Sequence, residues 1–204
     1  MNLRIWVTVA TCISLTASAA FAADAPQGWY VMPSYHQTGV DNANSKYRNP
    51  AGQQVEFDAK FGDDTHPSYT VGYAFAAPYR LDVTYMSRSN DIKANAVVVN
   101  ETLDVDTIVL SGWRDFALGE RWALYAGIGV GHARLKAGGL DGSVYLTELG
   151  GGALWRAWRN FTIDVGYRYQ IASNAELTGD GAKLTTDYSS QSALIGIRYT
   201  FARR

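Results

Sequence analysis

The chain has 204 residues and carries 18 Lys and Arg against 19 Asp and Glu, a formal net charge of −1; this balance argues against nucleic acid as a partner, and the length suits one domain. A single cysteine excludes a disulfide framework and a cysteine zinc cage. Mean hydropathy is slightly negative and no apolar run is long enough for a transmembrane helix, so any membrane crossing falls to strands, since only helices and closed barrels satisfy their backbone polar groups in lipid.

The N-terminus reads as a secretory leader. Arg4 supplies the positive start, Ile5 to Leu15 is apolar apart from small hydroxyl residues, and Ala20-Phe21-Ala22 is a small-x-small cleavage site. Cleavage is expected after Ala22, leaving residues 23–204 as one domain. Cys12 lies inside the leader, so the mature chain has no thiol for an oxidising compartment to pair. Val9-Ala10-Thr11-Cys12 is a faint lipoprotein-type box, but it comes too early for one.

Eight alternating apolar/polar segments follow. The first, about Trp29 to Gln37, contains Pro33 and its facing is ambiguous. A long polar gap from Asn42 to Asp64 carries Lys46, Arg48, Glu56, Asp58 and Lys60. The second segment sets Tyr69, Val71, Tyr73 and Phe75 against Ser68, Thr70, Gly72 and Ala74. After a tight gap at Ala76 to Pro78, the third sets Tyr79, Leu81, Val83 and Tyr85 against Arg80, Asp82, Thr84 and Met86. Side chains alternate faces along a strand, so each series occupies one side.

A longer gap from Asn90 to Asn100 leads to the fourth segment, about Glu101 to Trp113, where Leu103, Val105, Thr107 and Val109 oppose Asp104, Asp106, Ile108 and Leu110. Ala117 to Glu120 is tight. The fifth segment sets Trp122, Leu124, Ala126, Ile128 and Val130 against Ala123, Tyr125, Gly127, Gly129 and Gly131. After a longer gap at Ala137 to Gly142, the sixth, about Val144 to Trp155, carries Glu148 and three consecutive glycines that mark a bend or close approach. Arg156 to Asn160 is tight. The seventh places Phe161, Ile163, Val165, Tyr167, Tyr169 and Ile171 opposite Thr162, Asp164, Gly166, Arg168 and Gln170. A last long gap, Asn174 to Thr186, precedes the eighth, with Ala193, Ile195, Ile197, Tyr199 and Phe201 opposite Ser192, Leu194, Gly196, Arg198 and Thr200.

The gaps alternate long and short without exception. A closed up-and-down barrel in an outer membrane sorts its connections in this way, with long extracellular loops and short periplasmic turns. A soluble sandwich has no reason to. The rings of Trp29, Trp113, Trp122, Trp155, Trp158, Tyr79, Tyr85, Tyr167, Tyr199 and Phe201 fall mostly near segment ends, as interfacial girdles do. The fold class expected is therefore all-β, an eight-stranded antiparallel transmembrane β-barrel. Its lumen would hold Arg80, Arg88, Arg114, Arg168 and Arg198 with Asp82, Asp104, Asp106, Glu148 and Asp164. An eight-stranded barrel is only wide enough for side chains to fill, and buried charges must be paired. The expectation is a salt-bridged plug, against the alternative of a narrow charge-lined pore.

Gly150-Gly-Gly-Ala-Leu-Trp-Arg-Ala-Trp-Arg-Asn-Phe-Thr-Ile-Asp-Val-Gly-Tyr-Arg-Tyr169 resembles the penultimate hairpin of small outer membrane β-barrels of the porin-family or opacity-protein-like group, relatives of the OmpA-type membrane domain. Ser192 to Phe201 resembles their closing strand, and Trp29-Tyr30-Val31 their first. The resemblance implies a Gram-negative bacterial cell envelope, periplasmic chaperones and the barrel assembly machinery as partners, with Tyr199 and Phe201 in the assembly signal. Relatives often end on that aromatic, whereas here Ala202-Arg203-Arg204 follow it.

Some small barrels that resemble this one modify lipid A and need a hydroxyl, a histidine base and an orienting acid. Ser34 and His36 share a face, and His132 lies near the outer end of the fifth segment. The order Ser34-x-His36 reverses the His-x-Ser of the deacylases, and no partner carboxylate is assignable. No catalytic residue, cofactor or metal is assigned: Gly127, Gly129 and Gly131 alternate along a strand rather than opening a helix, and Asp63, Asp64 and His66 match no recognised metal loop. The expected function is a non-enzymatic integral outer membrane protein in contact with lipid and lipopolysaccharide. It would support envelope integrity and meet any surface ligand through Asn42 to Asp64.

Overall fold

Among the described residues no helix is long and apolar enough to cross a membrane, and side chains alternating above and below each strand leave a sheet closed on itself as the way to bury backbone in lipid. The computed structural model describes residues 26–40, 43–49, 51–61, 64–75, 78–94, 101–137, 139–179 and 182–201. The expected leader, residues 1–22, lies outside the described residues. Ten strands run in chain order: β1 (Gly28–Val40), β2 (Ala43–Arg48), β3 (Gln54–Phe61), β4 (Asp64–Ala74), β5 (Tyr79–Ala94), β6 (Glu101–Ala117), β7 (Trp122–Ala137), β8 (Leu140–Arg156), β9 (Phe161–Gly179) and β10 (Ala182–Thr200).

Eight of these close the barrel. β4 through β10 pair in order with their chain neighbours from β4 onward, and β1 pairs with both β4 and β10. Every pairing is antiparallel, and the ring closes through Tyr30 opposite Thr200 and Trp29 opposite Tyr73. β2 and β3 are an outer hairpin that continues the wall above β1 and β4. β2 pairs with the outer end of β10 and β3 with the outer end of β5. Asn42 to Asp64, expected as a loop, is thus largely strand.

Two more of the gaps expected to be long are tight. Ala137 pairs with Leu140, and Gly179 with Ala182; Gly139 in the first of these turns has φ of 79°, a conformation that glycine adopts without strain. Their polar residues lie on strands that run past the membrane. Hydrophilic sequence there reflects an outward face in water, where Asp141, Ser143, Glu176 and Thr178 are exposed, rather than irregular backbone. Of the Asn90 to Asn100 gap, β5 covers the start as far as Ala94, and 95–100 lie outside the described residues.

The outward face is a lipid surface. Val71, Val83, Leu110, Ile128, Val130, Val165, Ile195 and Ile197 are all exposed, in a band of the kind that is ~25 Å tall in such barrels. Trp29, Trp122, Trp158, Phe161 and Phe201 stand exposed along its periplasmic edge, and Tyr35, Tyr69, Tyr85 and Tyr145 along its outer edge. β1 resolves the ambiguity around Pro33: Trp29, Val31, Pro33, Tyr35 and Gln37 face out, and Tyr30, Met32, Ser34, His36 and Thr38 face in.

Two prolines leave marks on the ladder. Pro33 has no N–H to offer β10, and the β1–β10 pairing skips from Val31 to Ser34. At Pro67 the effect is larger. β4–β5 pairing ends at Ser68 opposite Met86, and pairing to β5 resumes only with β3, at Phe61 opposite Ile92. Ser87 to Asp91 thus pair with β6 alone among the described residues, at and just above the outer edge of the apolar band.

Candidate functional site in the lumen

The lumen is filled in two storeys. The periplasmic half is polar and charged because β5, β8, β9 and β10 each turn an ionic residue inward. Arg80, on β5, is buried and donates from Nε to both carboxylate oxygens of Asp115, at 2.9 and 3.1 Å. Its Nη1 lies 3.8 Å from Asp82 Oδ2. Asp82 accepts hydrogen bonds from Tyr30 Oη at 2.6 Å and Trp113 Nε1 at 3.0 Å, so its charge is met from three strands. Across the lumen, Asp164 accepts from Tyr125 Oη at 2.6 Å and from Arg198 Nη2 at 3.2 Å.

Arg168 joins the two groups. Its Nη1 donates to Tyr125 Oη at 3.1 Å and its Nε lies 3.7 Å from Glu148. Glu148 in turn accepts from Ser111 at 3.1 Å and Gln170 at 2.9 Å. Two aromatic rings sit at the centre. Trp113 and Tyr125 meet edge to face at 5.5 Å, with the Arg168 guanidinium 4.1 Å from the Trp113 ring centre and that of Arg80 4.8 Å from the Tyr125 ring centre. Cation–π contact and hydrogen bonding together satisfy charges that would otherwise be costly to bury. Glycines make the room: a Cβ on Gly166 would strike Tyr125 Oη, one on Gly127 the Trp113 ring, and one on Gly72 the Tyr30 ring.

Of the ten residues expected in the lumen, Arg80, Asp82, Glu148, Asp164, Arg168 and Arg198 are brought together there, and Arg88 is buried further out on the same inward face of β5. Asp104, Asp106 and Arg114 are not, and this corrects the sequence reading. All three face outward. The face of β6 that carries Ile108 and Leu110 into lipid continues above the membrane as Asp106 and Asp104, which accept hydrogen bonds from Tyr85 at 3.1 Å and Ser89 at 2.6 Å. Arg114 leaves the same face near the periplasmic edge, its guanidinium 5.3 Å from the Phe116 ring centre. Trp113, expected in a girdle, points into the lumen and is buried. Tyr30, Asp115 and Tyr125 complete the network unforeseen. Tyr125 alternates with the lumen glycines of β7, which was a usable signal, whereas Asp115 carried none. Tyr199 and Phe201 face out at the closing seam, in contact at 4.9 Å.

The outer storey divides by side. On β5 to β9 it is an apolar cluster of Met86, Val105, Val109, Ala133, Leu135, Val144, Leu146, Ala172 and Leu177. On β1 and β4 it is polar. Ser34 and Ser68 hydroxyls are 2.7 Å apart, Ser68 Oγ is 2.9 Å from His36 Nε2, and the His36 and His66 rings stack at 5.5 Å. Asp64 approaches His66, at 3.5 Å, rather than His36. The Ser–His pairing therefore has no acid hydrogen-bonded to the far side of His36 among the described residues, and the hydroxyls are buried inside the barrel. His132 packs edge-on against Tyr145 on the outside.

The family model for the outer membrane protein beta-barrel domain matches residues 8–201. No curated protein matches the chain. Among solved structures, the outer membrane protein OprG from Pseudomonas aeruginosa is similar with a TM-score of 0.69 at 14% identity, covering 87% of this chain and 98% of that one. The outer membrane protein AlkL, solved in lipid bilayers, is similar with a TM-score of 0.60 at 16% identity, covering 100% and 98%. Neisserial surface protein A follows with a TM-score of 0.58 at 18% identity, covering 85% and 97%. Identities this low show a shared fold alone.

Proposed function

Because the chain belongs to the outer membrane protein β-barrel domain family, we propose that it is a non-enzymatic outer membrane barrel, closed to ions and small solutes, that supports envelope integrity and presents its outer rim to the surroundings. The observation that carries this reading is the continuous network from Asp115 through Arg80, Asp82, Trp113, Arg168 and Tyr125 to Asp164 and Arg198. It crosses the lumen from β5 and β6 to β9 and β10. A pore wide enough for a hydrated ion needs a water path, and here aromatic rings and paired charges occupy the axis.

The non-enzymatic part of the proposal draws on the burial of the Ser34/Ser68/His36 cluster inside the barrel, since lipid-modifying chemistry needs a hydroxyl reachable from lipid. A leader cleaved after Ala22 and assembly through Tyr199 and Phe201 belong to the same proposal, supported by the small-x-small site and the outward aromatic seam. So does contact of the Asn42 to Asp64 segment with a surface ligand or lipopolysaccharide, supported by its projection beyond β1 and β4. Liposome swelling tests closure. Vesicles carrying the refolded barrel should swell no faster in isotonic arabinose than protein-free vesicles, and swelling at rates set by sugar size would refute the plug.

A further inference from the structure

The periplasmic rim differs in charge from the outer one. At the outer rim, charges of opposite sign face each other: Asp106 is opposite Arg134, Asp104 opposite Lys136, and Lys183 lies 2.8 Å from Glu176. At the periplasmic rim, two turns and the last strand form one hydrogen-bonded edge. Arg156 N donates to Arg121 O at 2.8 Å, Thr200 N to Asn160 O at 2.9 Å, and Asn160 Nδ2 to Thr200 O at 2.9 Å. This edge carries Arg121, Arg156 and Arg159, with Arg121 and Arg159 exposed. Glu120 is the one carboxylate among the described residues of the two turns.

The same edge has an apolar floor. A shallow depression is lined by Trp158, Arg159, Asn160, Phe161 and Tyr199. Trp158 is 73% exposed and stands edge-on to Phe161, which tilts against Tyr199 at 4.9 Å. Beside it, Trp122 and Trp155 stack at 6.0 Å. The floor runs without a break into the lipid-facing band, so whatever fills it has an apolar body in the bilayer and a negative head at the guanidinium level. We propose that this rim is a binding site for an anionic phospholipid of the inner leaflet, its phosphate held by Arg159 and Arg121 and its upper acyl chain laid on Trp158, Phe161 and Tyr199. Basic residues beside a membrane draw anionic headgroups, and interfacial aromatics seat the glycerol region.

Native mass spectrometry of the refolded barrel from micelles holding equimolar dioleoylphosphatidylglycerol and dioleoylphosphatidylcholine tests this. The wild type should retain phosphatidylglycerol in preference, by roughly fivefold per arginine engaged. Arg121→Gln with Arg159→Gln should erase the preference, while Arg134→Gln at the outer rim should leave it. Folding of each variant is read from its mobility before and after boiling. Equal retention of the two lipids by the wild type, or a preference that survives the double substitution in a folded barrel, would overturn the proposal.

Discussion

Asp164 is buried with both oxygens engaged, one by Tyr125 and one by Arg198. Asp164→Ala would leave a buried guanidinium and phenol without their acceptor, and removing one partner of a buried pair costs about 3–5 kcal/mol. Asp106→Asn, in the same charge class but on the outer face, should change stability by less than about 0.5 kcal/mol. Urea unfolding followed by tryptophan fluorescence separates the two, and equal effects would contradict the facing assigned to β6. Gly166→Val, which drives a side chain into Tyr125 Oη, should destabilise by about 1–3 kcal/mol through overpacking. Inward charges on β5, β9 and β10 were legible from alternation, because Arg80, Asp82, Asp164, Arg168 and Arg198 each sit between apolar or aromatic neighbours that take the opposite face. On β6 alternation could not tell lipid from water: the outward face changes from Ile108 to Asp106 where the strand leaves the membrane, so acid residues looked like lumen. Trp113 misled for a related reason, since its position near a strand end says nothing about which side its ring takes.

At the scale of the element, strand identity and the three periplasmic turns were readable from the period-two pattern and the short polar gaps. The outer connections were not. Where the outward face meets water, a strand loses the lipid-facing apolar row that announces it, so the outer ends of β7 to β10 looked like loop, as did the sequence of β2 and β3. Their pairing rests on backbone hydrogen bonds, not on a sequence signal. The break beside Pro67 gives a sharp expectation. Amides of Ser87 and Ser89 pair with β6 on one side only, and the β4 stretch Thr65–His66 lacks β5 altogether. Amide hydrogen exchange should be faster at Thr65 and His66 than at Thr70 and Val71, because local opening is easiest where a strand has a single neighbour. Uniform protection along β4 would show that the wall closes there.

For the whole molecule, the proposed closure rests on two features. Eight strands make a cylinder with room for side chains but little more, and the chain then spends that room on paired charges, two central rings and an apolar outer cluster. Lipid sets the outward sequence and the narrow lumen sets the inward one, which is why a chain only 14 to 18% identical to OprG, AlkL and Neisserial surface protein A keeps the same barrel. Closure is tested most directly by single-channel recording of the refolded protein in a planar bilayer, with folding confirmed by its altered mobility before boiling. The plugged lumen predicts a silent membrane at all applied voltages. Discrete, reproducible current steps, altered in size or ion preference by Arg168→Gln or Glu148→Gln, would show a water path through the charge network and contradict it.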